Sequence, residues 1–136
     1  MPPGLRPATA DDIDEVLAFW RAVAEPTSTD SPEALAGLVR HDPGALIVAE
    51  VDRHIVGSVI AGWDGWRGSV YRLAVSPEHR RRGLGHSLLR AAEDRLTGLG
   101  GRRLHAIVVG SNDDGVAFWA TTDWEQQAGQ LRFAKG

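Results

Sequence analysis

From Ser69 to Val109 the chain passes in order through an apolar strand, a proline, an arginine–glycine turn, an apolar-striped segment, a double glycine and a second apolar run. Ser69 to Ser76 carries Val70, Tyr71 and Val75, residue types that suit a pleated surface. Pro77 ends that run, because it has no N–H to continue a ladder. Leu84, Leu88, Ala91, Ala92, Arg95 and Leu96 recur at helical spacing, so 83–99 reads as a helix, stopped by Gly100-Gly101. Arg103 to Val109 predicts the next strand. A strand–helix–strand unit within one sheet crosses over right-handed and leaves its strands parallel. The unit therefore predicts the α/β class.

The flanking segments extend that unit. Leu5-Arg6-Pro7 is a short extended start. Thr9 precedes Asp11, Asp12 and Asp14, and Ile13, Val16, Leu17 and Trp20 follow on one helical stripe, predicting a helix over 11–23. Ser31-Pro32 supplies a cap and a first-turn proline for a second helix to about Arg40. Ala45–Val51 and Ile55–Ala61 flank Asp52-Arg53-His54 as a β-hairpin. Gly62 to Gly68 is a polar-aromatic connector. Asn112 to Thr122 reads as a helix, and Glu125 to Ala134, with Gly129 inside it, as a short closing hairpin. The order is β-α-α-β-β-β-α-β-α-β-β. At 136 residues this makes a single domain, 1–136, able to bury about two-thirds of its unfolded surface.

Composition narrows the chemistry. There is no cysteine, which excludes a disulfide scaffold, a thiol nucleophile and a Cys-ligated zinc. The net charge is -3, against the bias of a general polyanion binder. Lys135 is the only lysine, so lysine chemistry is nearly excluded. His41, His54, His79, His86 and His105 lack ligand spacing, and no metal is expected. No stretch approaches the roughly 20 apolar residues of a membrane span. Met1-Pro2-Pro3-Gly4 lacks a signal-peptide pattern. A cytoplasmic protein, without a membrane partner, is expected.

The segment richest in chemistry is Arg80-Arg81-Arg82-Gly83-Leu84-Gly85. It links a strand to a helix start, where unpaired N–H groups and a partial positive charge suit a phosphate. The glycines let the backbone approach, and the arginines add charge-assisted hydrogen bonds. A Walker loop is excluded, since no Gly-Lys-Ser/Thr follows. A dinucleotide fingerprint would need glycine at Leu88. Against this stands the reading of three solvated arginines and a common Gly-x-Gly.

Here the sequence resembles the GNAT superfamily of acyl-CoA-dependent N-acetyltransferases. Their central motif is a strand ending in aliphatic-x-Val, then Pro, then Arg/Gln-x-x-Gly-x-Gly/Ala opening a helix. Leu73-Ala74-Val75, Pro77 and Arg80-x-x-Gly83-x-Gly85 match it. Asn112, the pair Phe118-Trp119 and Trp124 match a second motif. The Asp64-Gly65-x-Arg67-Gly68 connector resembles that of a small bacterial subgroup. The resemblance implies a GNAT-like mixed, mainly antiparallel sheet of about six to seven strands, with a splayed parallel central pair and about four helices. It implies acetyl-CoA as cosubstrate. The pyrophosphate would lie on the N–H groups from Arg81 through Arg82, Gly83, Leu84 and Gly85 to His86, beside Arg80. The pantetheine arm would pair with Leu73, Ala74 and Val75 between strands 69–76 and 103–109. Asn112 would touch that arm or order nearby backbone, and an N–H near Leu73 would hold the acyl oxygen.

The catalytic positions depart from the family pattern. Where many relatives carry a tyrosine acid, this chain has Trp119. Where many carry a glutamate before the Asn, it has Ile107, and Asp123 replaces a glycine. Asp64, through a water, is the candidate base, or else a turn former before Gly65. Tyr71 is the candidate proton donor, or else a half-buried strand aromatic. His105 shares a strand face with Ile107. Glu33, His41 and Glu50 read as surface residues. Trp63, Trp66 and Trp20 could line an apolar acceptor pocket, and exposed tryptophans offer a homodimer face. The expected activity is acetyl transfer to a primary amine of a small molecule or peptide. The alternatives are a catalytically weakened acyl-CoA-binding or regulatory module, and a nucleic-acid binder through Arg80–Arg82, which the net charge opposes.

Overall fold

The computed structural model describes residues 3–108 and 112–136. By internal contacts it divides into two compact units, Met1–Ala106 and Ile107–Gly136.

The first unit holds one five-stranded sheet in the order β1-β2-β3-β4-β5. The strands are β1 (Gly4–Pro7), β2 (Leu46–Val51), β3 (His54–Trp63), β4 (Gly68–Val75) and β5 (Leu104–Ala106). All neighbours pair antiparallel except β4 and β5, which are parallel as the crossover rule requires. The helices are α1 (Ile13–Val23), α2 (Pro32–His41) and α3 (Leu84–Gly98). A 3-10 turn over Ala10–Asp12 leads into α1. Ser31 Oγ accepts the Ala34 N–H and caps α2, as the Ser-Pro pair implied. The β2–β3 turn is tighter than expected. Asp52 and Arg53 both take positive φ, 50° and 67°, which makes a two-residue turn of the type that matches strand twist. His54 therefore begins β3, opposite Val51.

Each face of the sheet has its own packing. Val16, Leu17 and Trp20 of α1 and Leu35 of α2 cover Leu46, Val48 and Ile55. On the other face α3 buries Leu84, Leu88, Leu89, Ala92 and Leu96. Gly57 lets α3 come close, because a Cβ there would sit 2.9 Å from Leu88 Cδ1. Arg95 of α3 donates to the Ala61 carbonyl at 2.6 Å and pairs with Asp42, tying the helix to the sheet and to the turn after α2.

In the second unit Asn112 Oδ1 accepts the Gly115 N–H at 3.0 Å and caps α4 (Asp113–Ala120). Trp119 meets Phe118 and Trp124 edge-on, with ring centroids at 5.7 Å and 4.8 Å.

Two expectations need correction. The described residues hold five strands, not six to seven: Glu125 to Ala134 forms a turn at Ala128-Gly129 and no strand. Leu131 and Phe133 stay exposed there, so no buried face rewards pairing. The strand expected over 103–109 is ordered as strand only from Leu104 to Ala106; its expected end at Val109 lies outside the described residues. No helix among the described residues is long and apolar enough to cross a membrane.

Candidate active site

The turn from Ser76 to Gly83 carries β4 into α3. Pro77–His79 forms a 3-10 turn, and His79 Nδ1 and Ser76 Oγ lie 2.8 Å apart. Arg80 Nε donates to the Val75 carbonyl at 3.3 Å, bracing the turn on the last residue of β4. Arg81 and Gly83 are left-handed, with φ of 62° and 81°. Gly83 is the N-cap of α3, and among the described residues no side chain makes a cap hydrogen bond there. Its first turn carries no acid, whereas α1 has Asp14 and Glu15, α2 has Glu33, and α4 has Asp113 and Asp114. Arg80, Arg81 and Arg82 are exposed beside it. A helix start with no acid in its first turn and three exposed arginines beside it suits an anion.

The turn follows a strand whose ladder is interrupted. β5 pairs with β4 through Gly68↔Leu104, Ser69↔His105 and Val70↔Ala106 only. Among the described residues the β4–β5 register ends at Val70↔Ala106. Against β3 the ladder continues, and the Ser76 N–H donates to the Val56 carbonyl at 2.8 Å. Alternation along the strand turns the Val75 N–H the opposite way, away from β3. A β-bulge separates the two stretches: Ser58 pairs with Ala74 but Ile60 with Tyr71, so Arg72 and Leu73 stand against Val59.

Other candidates fall elsewhere. Asp64 sits in the β3–β4 turn, where Oδ1 accepts the N–H groups of Trp66 and Arg67 at 2.7 Å and 2.6 Å. Those hydrogen bonds, Arg67's first, hold its carboxyl below the usual range. From Gly68 to Leu73 the strand rises roughly 15 Å, so Asp64 and the stretch Leu73–Val75 lie at opposite ends of β4. Tyr71 is half exposed on the face that also carries Ser69. Ser69 Oγ and His105 Nε2 lie 2.9 Å apart. Trp20 is core, 2% exposed. Trp63 and Trp66 do line a cavity of about 440 Å³, with Arg67, Leu99, Arg102 and Arg103. It lies at the far end of α3 from the anion turn, about 22 Å along a helix of this length.

Residues 11–122 match the family described as Acetyltransferase (GNAT) family. The chain is 32% identical over 126 residues to an acetyltransferase of Sodalis glossinidius (strain morsitans), covering 92% of this chain and 89% of that one.

The chain belongs to the GNAT family of acetyltransferases.

It is an acyl-CoA N-acyltransferase. The fold agrees with solved structures. Ard1 from Thermoplasma volcanium matches with a TM-score of 0.81 at 19% identity, over 94% of this chain and 86% of that one. The PaiA N-acetyltransferase of Thermoplasma acidophilum, in complex with coenzyme A, matches with a TM-score of 0.75 at 16% identity, over 88% and 87%.

Within this GNAT chain, sequence reasoning missed one group. Trp20 Nε1 donates to Ser58 Oγ at 2.9 Å, and Ser58 Oγ donates to the Arg72 carbonyl at 2.7 Å. The Arg72 guanidinium pairs with Asp30. The available signal was a single serine inside Ile55-Val56-Gly57-Ser58-Val59-Ile60, and an arginine inside an apolar strand.

Proposed function

We propose that this enzyme moves an acetyl group from acetyl-CoA to a primary amine of a small molecule or peptide by direct attack. One observation carries the reading. The start of α3, with no acid in its first turn and no side-chain cap among the described residues, is flanked by Arg80, Arg81 and Arg82 and follows directly on β4, whose described register with β5 ends at Val70. The N–H groups from Arg81 to His86 would hold the pyrophosphate. Leu73, Ala74 and Val75 would pair with the pantetheine arm, and the Leu73 N–H would donate to the acyl oxygen as charge develops. Asn112 acts on backbone through its cap on α4. The match to residues 11–122 runs through both compact units, which supports one domain from 1 to 136.

In the reaction the amine nitrogen bonds to the acyl carbon and the carbon–sulfur bond breaks. The amine loses one proton and the leaving thiolate gains one. Tyr71, exposed on β4, is the proposed donor. Asp64 is a poor base for the amine's proton, since its carboxylate already serves two turn amides. Trp119 packs edge-on between two aromatic rings and is assigned to packing.

The test is thiol release from acetyl-CoA in the presence of diamines, amino sugars and short peptides. Release above solvent background is expected with at least one class. Tyr71→Phe should lower kcat by about the 10²–10⁴ that an acid–base group supplies, while Asp64→Asn stays within about twofold. A folded sample that binds CoA, shown by calorimetry, yet releases no thiol with any class would overturn transfer and leave a binding module.

A further inference from the structure

Arg72 takes φ of 53°, a left-handed backbone region that is strained for a residue with a Cβ. Such a conformation persists only where the surroundings impose it. Here both ends of the residue are held. Its carbonyl accepts the Ser58 hydroxyl at 2.7 Å, and that hydroxyl accepts the Trp20 indole N–H at 2.9 Å. Ser58 is fully buried and Trp20 nearly so. At the other end the guanidinium lies 5.0 Å over the Trp20 ring, a cation–π contact. Its Nε donates to Asp30 Oδ1 at 3.2 Å, and its Nη2 to Asp30 Oδ2 and, at 3.4 Å, to Thr27 Oγ1. Asp30 in turn accepts the Thr27 N–H at 3.1 Å, so the loop between α1 and α2 is closed on the same arginine.

The lock sits at a decisive register position. Arg72 and Leu73 are the two residues that the bulge sets against Val59. The described register with β5 ends just before them, at Val70. Leu73, Ala74 and Val75 follow at once. A bulge re-aims the strand beyond it, so the conformation of Arg72 decides where the Leu73 and Val75 N–H groups point.

We propose that Trp20, Ser58 and Asp30 are positioning residues, acting through Arg72 to aim the Leu73 N–H at the acyl carbonyl; this rests on the thioester reading of β4 given above. Ser58 supplies the hydroxyl that fixes the carbonyl of Arg72. Trp20 orients that hydroxyl and carries the guanidinium on its face. Asp30 anchors the far end. None of the three touches the acyl group itself.

The carbonyl stretch of ¹³C-labelled acetyl-CoA, read by infrared difference spectroscopy, tests this. An N–H bonded to the thioester oxygen lowers the stretch relative to the free compound. In the wild type a lowered stretch is expected. Ser58→Ala and Asp30→Asn should lose most of that shift, while calorimetric affinity for free CoA and the thermal midpoint of the CoA complex change little. Asp30→Glu should recover the shift lost in Asp30→Asn. Asp30 lies at the edge of the loop, so its variants keep the test open where Ser58→Ala unfolds. A shift unchanged in folded Asp30→Asn and Ser58→Ala overturns the lock and leaves the thioester reading intact. A wild type that does not bind acetyl-CoA, or binds it with no shift, overturns both.

Discussion

Arg6 and Asp12 show how one residue's charge state becomes a property of the fold. Two guanidinium N–H groups of Arg6 reach both carboxylate oxygens, at 2.8 Å and 2.9 Å, and the Thr9 N–H adds a third bond at 2.7 Å. The Arg6 hydrogen bonds, above all, hold the Asp12 carboxyl down to about 2. Its pKa when folded lies below its unfolded value, so the folded state gains stability above about pH 4 and loses it as pH falls through about 2. Arg6 is partly exposed, and solvent screening holds the gain to about 1 kcal/mol. Asp12→Asn should therefore lower the urea midpoint at pH 5 and converge with the wild type near pH 2. A gap that stays constant with pH would sink this account. At the same scale, the capping role of Ser31 was legible, because a cap depends on neighbours three residues away. The duty of Asp64 was legible only as one of two readings, since a turn former and a base share the same carboxylate.

At the scale of elements, α3 against β3 sets the distance between helix and sheet. Leu88 is fully buried and its Cδ1 would lie 2.9 Å from a Cβ on Gly57, with Ala49 Cβ and the Ala74 carbonyl each at 3.3 Å. The two sheet atoms cannot withdraw, and the Leu88 tip can move only against the packing that buries it. Gly57→Ala should cost about 1–3 kcal/mol by overpacking. Leu88→Val in the Gly57→Ala background should return part of the loss, since the two positions are in contact and couple. Chemical denaturation of the four proteins gives the coupling directly; strict additivity would contradict the packing. The helix itself was readable from its stripe and its glycine stop. Its depth was not, because the glycine that permits it lies in another strand. The closing hairpin failed for a related reason: alternation suggests a strand, but only a second surface makes one form.

For the molecule as a whole, net charge and local field oppose each other. The chain carries -3, which by itself repels a polyanionic ligand, yet three arginines and a helix start with no acid in its first turn converge on one turn. Binding of CoA should therefore weaken steadily as salt is raised, since exposed charges are screened. Arg81→Ala with Arg82→Ala should lower the affinity by about two- to fivefold per arginine and flatten the salt dependence. Calorimetry across a salt series measures both, and a salt-independent affinity would count against the anion turn. The order strand, turn, helix, strand, and with it the parallel pairing of β4 and β5, followed from the chain alone, because periodicity, proline and glycine act over a few residues. The bulge at Arg72 did not. It is held by a serine 14 residues away and an aspartate 42 residues away, and that serine by a tryptophan at a separation of 38. No local pattern encodes partners so distant; only the folded sheet, with α1 laid across it, brings their polar atoms within hydrogen-bond reach and makes a left-handed arginine the lower-energy choice.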